Sequence, residues 1–382
     1  MHVCVIFYNL GGYHLARLAA ADHSCRLRGW KLSAIEITRT TSEHPWGKLE
    51  VPDYVTTLDS HHAGDFPSLT NSKKLEDALN QLAPDAIAIP GWGHNFARHA
   101  LDWCIQNRRV RILLSESKYD DSPRSWWKEL WKQWKYVRRF HGALVGGKKH
   151  AAYLQRLGMH GNRIFHGYDV VDTTYLTDQV DRIRSGSKES SRPNLVPDNP
   201  FFLAVNRFIP RKNIETLIQA FAETATVSTE RWDLVLLGSG EQEGRLKAQA
   251  AELGLRDRIH FPGFASYEDI PIWYAYASGF VHPALSEQWG LVVNEAMAAG
   301  LPILLSSACG CHPDLLEEGK NGFSFCPTDA GELAGQMVTM MSSADRRKNM
   351  GMASRDLITR QFPPTAFGEG LCQSIEATGP RS

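Results

Sequence analysis

Short apolar runs alternate along this chain with longer stretches in which apolar positions recur every three or four residues. The runs read as buried strands and the longer stretches as amphipathic helices, the alternation expected of parallel sheets covered by helices on both faces. In the first half the predicted strands are Val3–Tyr8, Leu32–Ile37, Asp85–Ile89, Val110–Leu114 and Ala143–Val145, with helices over Leu15–Arg28, Asn95–Asn107 and Ala151–Leu157. Around residues 182–200 the periodicity fails and Ser, Pro, Asn and charged residues collect, which is linker chemistry. The pattern then restarts with strands Phe201–Val205, Leu234–Leu237, Arg258–Phe261, Phe280–His282 and Pro302–Leu305, and helices near Ile214–Glu223, Arg245–Leu253 and Val292–Ala299. The expectation is therefore an α/β protein of two doubly wound parallel-sheet domains, 1–185 and 200–362, joined by a linker at 186–199. Ligands of open parallel sheets bind outside the carboxyl ends of strands, so two such domains facing each other predict a central cleft.

A length of 382 residues suits two hydrophobic cores better than one. With 42 basic and 42 acidic side chains the formal net charge is zero, which argues against a dedicated nucleic-acid binder. The seven cysteines are scattered and form no Cys-x-x-Cys pair, as expected of reduced thiols. Met1 runs directly into a strand-like segment, and no apolar stretch approaches bilayer-spanning length, so the sequence predicts a cytoplasmic protein. His61-His62 and Cys309-Gly310-Cys311 lack a second ligand pair at metal-binding spacing, which favours incidental roles for both.

Candidate chemistry concentrates in SEQWGLVVNEAMAAGLPILLS, residues 286–306, where Glu287 and Glu295 stand eight positions apart. Glu287 should lie on a loop after a strand, and Gly290 should open a helix carrying Glu295 in its early turns. Amides at that helix start, around Leu291 and Val292, can bind phosphate oxygens, while the carboxylates hold hydroxyls of a sugar or ribose. An amphipathic helix with two solvated glutamates would show the same spacing.

This segment resembles the Glu-x7-Glu signature of family-4 glycosyltransferases, retaining enzymes with the GT-B fold of two Rossmann-like domains. Further stretches agree in order: FLAVNRFIPRKNIETLIQAF at 202–221, LVLLGSGEQEGRLK at 234–247, RIHFPGFASYEDIPIWYAYASGFVHPALSE at 258–287 and CGCHPDLLEEGKNGFSF at 309–325. The resemblance implies a hexose-type sugar moved from a nucleotide diphosphate donor to a glycan, lipid-linked or small-molecule acceptor, with retention at the anomeric carbon; the alternatives are a nucleotide-sugar epimerase or phosphorylase on the same fold, or a non-catalytic nucleotide-sugar-binding scaffold. It implies that Arg207 and Lys212 neutralise the departing diphosphate, that Glu287 orients the sugar, and that Glu295 holds the ribose or sugar. Gly238, Gly263 and Phe264 would meet the donor, whose base, uridine as in UDP-sugars or guanosine, is left open. No Asp-x-Asp tripeptide occurs, so the two cations stand in for a metal and no cofactor is expected. The residues at 363–382 resemble the final helix that in such enzymes crosses back to the N-terminal domain.

The first half matches more loosely. Gly12, after the first strand, resembles the family's glycine loop, though a simple turn fits equally; His94 occupies the loop where family members present a histidine to the donor sugar, though it also suits a helix start. In SESKYDDSPRSWWKELWKQWKYVRRF, residues 115–140, Trp127, Trp131 and Trp134 fall on one helical face beside Lys128, Lys132, Lys135 and Arg139. The stretch 124–139 is either a peripheral membrane contact or, as the favoured expectation, a helix whose tryptophans pack on the sheet. In the latter case Glu116, Lys118 and Arg124 would contact the acceptor.

Overall fold

The computed structural model describes residues 1–39, 50–59, 69–121, 124–186, 195–227 and 230–378. The chain divides into two units, 1–172 with 362–382, and 173–361. His61-His62 and most of the expected linker lie outside the described residues.

The first unit runs β1 (His2–Phe7), α1 (Gly12–Leu27), β2 (Lys31–Glu36), β3 (Val55–Thr57), α2 (Leu69–Leu82), β4 (Ala86–Pro90), α3 (Asn95–Gln106), β5 (Val110–Ser115), α4 (Trp126–Lys135), β6 (Gly142–Val145), α5 (Lys148–Arg156) and β7 (Ile164–His166). All its strands are parallel, in the order β3-β2-β1-β4-β5-β6-β7. Alternate residues of each strand enter opposite faces. Cys4, Ile6, Ile87, Ile89 and Leu113 pack with Phe96, Leu101 and Tyr153 on one side, while Val3, Val5, Ala86, Ile112 and Leu114 pack with Leu18 and Cys25 on the other. Both faces are therefore covered, and the strands read as continuous apolar runs.

The second unit runs α6 (Thr173–Arg184), β8 (Phe201–Val205), α7 (Ile214–Val227), β9 (Asp233–Leu237), α8 (Glu243–Glu252), β10 (Ile259–Gly263), α9 (Ile270–Tyr276), β11 (Gly279–His282), α10 (Leu291–Ala298), β12 (Ile303–Ser306), α11 (His312–Leu315), β13 (Gly322–Phe325), α12 (Ala330–Met341) and α13 (Ala344–Gln361). Its sheet is parallel throughout, in the order β10-β9-β8-β11-β12-β13.

The division falls at Asp172/Thr173, not after residue 185. The helix α6 belongs to the second unit because its polar side chains cap carbonyls there: Arg184 donates to Ala275 O at 3.0 Å and Ala299 O at 2.8 Å, and Thr177 to Ala298 O at 3.1 Å. Asp181 adds an ion pair to Arg355 at 2.9 Å. These are side-chain contacts at long sequence separation, invisible to a composition-based boundary.

The last helix, α14 (Thr365–Thr378), belongs to the first unit, where Phe367, Leu371, Cys372 and Ile375 complete the core face beneath α1. The two helices approach closely enough that a Cβ on Gly368 would stand 2.4 Å from Ala20 O. Arg28 on the α1 side pairs with Glu369 at 3.0 Å and Glu376 at 2.7 Å.

The favoured expectation for the tryptophans is overturned. Trp126, Trp127, Trp131 and Trp134 are all exposed, and none joins the sheet. What docks α4 is its other side. Glu129 accepts from Tyr153 Oη at 2.7 Å and pairs with Lys132 at 2.9 Å, and Tyr136 is buried at the helix end.

Candidate functional site

Each sheet has a topological switch point, where the strand order reverses and the connections on either side diverge to open a crevice at the carboxyl edge. In the second unit it lies between β8 and β11, in the first between β1 and β4. The segments leaving those strands carry most of the residues singled out from the sequence.

After β8 the chain passes through Asn206 and half-buried Arg207 into a short turn, Pro210–Lys212, closed by Asn213 in the left-handed region at φ 59°. Asn213 Nδ2 donates to Pro283 O at 3.0 Å and Pro327 O at 2.7 Å, which ties the turn to the loop leaving β11. That tie brings together charges 75 residues apart: Lys212 Nζ pairs directly with Glu287, whose Oε1 lies 3.8 Å from Arg211 and Oε2 3.4 Å from His282 Nε2. Glu287 is only 9% exposed. Burial by itself would raise its carboxyl, but His282 and the Lys212 charge prevail and hold it well below the usual range. Glu287 is thus an anion at physiological pH. His282, fully buried on the last position of β11, is pushed down by burial and stays neutral.

Gly290 sits at φ 105° at the mouth of α10, where a Cβ would stand 3.4 Å from both Glu287 Cγ and His282 Nε2. Its left-handed conformation turns the chain sharply enough to start a helix directly after the acidic loop. Leu291 and Val292 occupy the first turn of α10, whose amides lack partners one turn back within the helix. Glu295, on the same helix, is 8% exposed and accepts from Tyr274 Oη at 2.8 Å. Burial raises its carboxyl to about 7 against that hydrogen bond.

The glycine loop after β9 fits against the β8 loop. Phe208 N donates to Ser239 O at 2.8 Å, Gln242 N to Phe208 O at 3.0 Å, and Gly238 N to Gly263 O at 2.8 Å. Gly238 has φ 135°, and a Cβ there would stand 1.9 Å from Asn206 O. Its small size is thus required by backbone packing behind Arg207. Gly238→Ala is expected to destabilise the protein by about 2–3 kcal/mol or more, read by thermal or urea denaturation. An unchanged midpoint would show that the two loops do not need this approach. Gly263 takes φ 90° at the end of β10 with open space where a side chain would be, and Phe264 beside it is 62% exposed.

In the first unit, Gly12 begins α1 directly after the β1 loop, where Gly11 N donates to His14 Nδ1 at 2.9 Å. His94 precedes the first residue of α3, its ring in a three-ring cluster with Tyr8 and Phe96, centroids 5.4 Å from each and those two 5.9 Å from one another. Both flank the β1/β4 switch point. Of the residues expected to touch an acceptor, Lys118 is buried and held by Asp120 at 3.0 Å and Asp121 at 3.5 Å, while Arg124 donates to Tyr119 O at 2.7 Å and lies over the Tyr153 ring at 4.6 Å. These two cations brace the segment before α4. Glu116 faces Asp169, whose buried carboxyl is pushed far up by burial and by the Glu116 charge, against the pull of Arg17 at 3.6 Å.

His282 and Tyr274, partners of the two glutamates, escaped the sequence reading, since neither stands at an informative spacing. The one available signal was the place of His282 as the last residue of the strand that leads to Glu287. Cys309 and Cys311 are buried, and among the described residues no group of three or more His, Cys, Asp or Glu side chains is arranged to hold a metal. No helix among the described residues is long and apolar enough to cross a membrane.

Residues 187–357 match the family model described as glycosyl transferases group 1. A GDP-mannose-dependent alpha-(1-6)-phosphatidylinositol monomannoside mannosyltransferase of Mycobacterium tuberculosis is 26% identical over 49% of this chain and 51% of its own length. An alpha-D-kanosaminyltransferase of Streptomyces kanamyceticus is 26% identical over 50% of each chain. The chain thus spans about half the length of these curated relatives. HepE of Anabaena, solved with UDP and glucose, superposes with a TM-score of 0.73 at 17% identity, covering 99% of this chain and 100% of that one. Two parallel-sheet units with this likeness have the GT-B fold. Residues 187–357 thus match a glycosyl transferases group 1 domain, carried in a chain with the GT-B fold.

Proposed function

We propose that the chain is a retaining, metal-independent hexosyltransferase of the family-4 type that uses a nucleotide diphosphate sugar. The observation that carries this reading is the Lys212–Glu287–His282 cluster at the switch point of the second unit, with Arg207 and the first turn of α10 on the segments leaving the same two strands. Arg207, Lys212 and the α10 amides offer positive charge where a diphosphate would gain negative charge on departure. Glu287, ionised and held by its partners, is suited to accept hydrogen bonds from hydroxyls of the transferred sugar. Glu295 takes a ribose or sugar hydroxyl, and the backbone around Gly263 with the exposed Phe264 ring meets the base.

In the proposed step the bond from the anomeric carbon to the diphosphate oxygen breaks through an oxocarbenium-like state. The acceptor oxygen bonds to the same face, and its proton passes to the departing phosphate oxygen. No protein nucleophile is required, and the cations supply the charge stabilisation that a divalent metal gives elsewhere. The acceptor is a glycan, a lipid-linked saccharide or a small molecule, the lipid-linked case matching peripheral membrane contact through 124–139.

The mycobacterial relative is GDP-mannose-dependent and HepE has been solved with UDP-glucose, so the test uses both among a panel of nucleotide sugars. At least one is expected to raise the melting temperature by mass action, and nucleotide diphosphate release is expected only when an acceptor is added. Donor conversion without acceptor would replace this reading with an epimerase. Absence of any shift across the panel would remove the donor site.

A further inference from the structure

The helix α4 is packed inside out. A surface helix normally buries its apolar stripe and shows its polar one. Here the inward face is Glu129, Lys132, Gln133 and Tyr136, held by the Glu129–Tyr153 hydrogen bond and by Gln133 lying against Gly158, while Trp127, Trp131 and Trp134 are 57%, 50% and 69% exposed, with Trp126 and Leu130 beside them. So large a contiguous aromatic surface marks an interaction site.

Charge identifies the occupant. Lys128 lies 5.3 Å from the Trp127 ring centroid, Lys135 4.4 Å from that of Trp131, and Arg138 4.6 Å from that of Trp134. Among the described residues these three cations enter no ion pair with a carboxylate, whereas Lys132 is paired with Glu129 and Arg139 with Asp102. Three aromatic rings, each bearing a cation, present both chemistries of a bilayer interface at once: indoles suited to the boundary between headgroup and acyl chain, and charges suited to headgroup phosphates. A protein partner's apolar groove would match the rings and leave the cations to be desolvated.

We propose that α4 is a docking surface for an anionic phospholipid bilayer, the helix lying in the plane of the interface with its tryptophans inserted. The inference deepens the membrane contact raised for 124–139 by naming the lipid charge and the inserted rings, and its test stands apart from the transferase reading, since vesicle binding is measured without donor or turnover.

The test is co-sedimentation of the full chain with phosphatidylcholine vesicles and with equimolar phosphatidylcholine–phosphatidylglycerol vesicles, alongside tryptophan emission. Binding to the anionic vesicles alone is expected, with a blue shift on binding and weakening by salt. Each of Lys128→Gln, Lys135→Gln and Arg138→Gln should weaken binding roughly fivefold. The triple variant Trp127→Ala/Trp131→Ala/Trp134→Ala should lose binding while its melting temperature stays that of the parent, because the rings contribute little to the core. Equal binding to both vesicle types, or none to either, overturns the proposal. So does a dimer that forms without lipid and disperses on tryptophan substitution, which would assign the face to a second copy of the chain.

Discussion

Replacing Arg207 by alanine is expected to lower turnover about a hundred- to a thousandfold while leaving the unfolding midpoint close to that of the parent. The size follows from removing one donor aimed at developing transition-state charge. The spared stability follows from position, since Arg207 is half-buried at the carboxyl edge of β8 and the strand's core contacts come from Phe201 to Ala204. Lys212→Ala should behave differently. It leaves Glu287 buried beside a neutral His282 with, among the described residues, Arg211 at 3.8 Å as the remaining ion-pair partner, so a loss of stability of up to about 3 kcal/mol accompanies the loss of turnover. Adding Glu287→Gln to Lys212→Ala should restore the stability, because a neutral amide needs no counter-charge, and should not restore turnover. Acceptor-dependent nucleotide release and urea denaturation separate the two quantities. Full turnover in Arg207→Ala would take the guanidinium out of the site and with it the charge-stabilisation argument.

The second large effect is a pH dependence centred on Glu295. Its carboxyl is raised from 4.5 to about 7 by burial, so between those values the folded protein binds a proton that the unfolded chain does not. Stability from this group is therefore fully present below about 4.5, declines as pH rises through about 7, and then levels, a total of roughly 3 kcal/mol. Glu287 has the opposite sign, its contribution being lost as the solution becomes acidic, so the Glu295 slope is read between pH 5 and 8, where Glu287 stays ionised. Glu295→Gln should flatten that slope. If a donor hydroxyl donates to the Glu295 carboxylate, nucleotide-sugar affinity should rise as pH increases through 7 and lose this dependence in the same variant. A Glu295→Gln protein that keeps the parental slope would place the titration elsewhere.

How far the chain could be read without coordinates depends on where each signal resides. The central strands were legible because burial on both faces forces uninterrupted apolar runs, and predicted and observed spans of β1, β5, β8 and β11 agree within a residue or two. The edge strands β3, β7 and β13 were missed because an edge strand is short and half-exposed, leaving Val55–Thr57 or Ile164–His166 no distinguishing pattern. The Glu287/Glu295 spacing and the basic turn were visible as motifs, yet no spacing links Lys212 to Glu287 or Tyr274 to Glu295. The contacts of Lys118 with Asp120 and Asp121, and of Arg124 with Tyr119 O, were equally hidden: cations after a strand have one sequence signature whether they face solvent or hold a loop.

The amino-acid sequence alone determined the alternation of strand and helix, the two parallel sheets and the identity of the charged residues beyond their strands, because these follow from local periodicity. Tertiary structure decided which charges meet, which carboxylate stays ionised and which is raised, that α6 belongs with the second unit, and which face of α4 is turned outward. Each of these depends on burial and on contacts between distant segments. For α4 the periodicity correctly gave an amphipathic helix but carried no direction, and the Tyr153–Glu129 hydrogen bond, Gln133 against Gly158 and the burial of Tyr136 go with tryptophans turned to the outside.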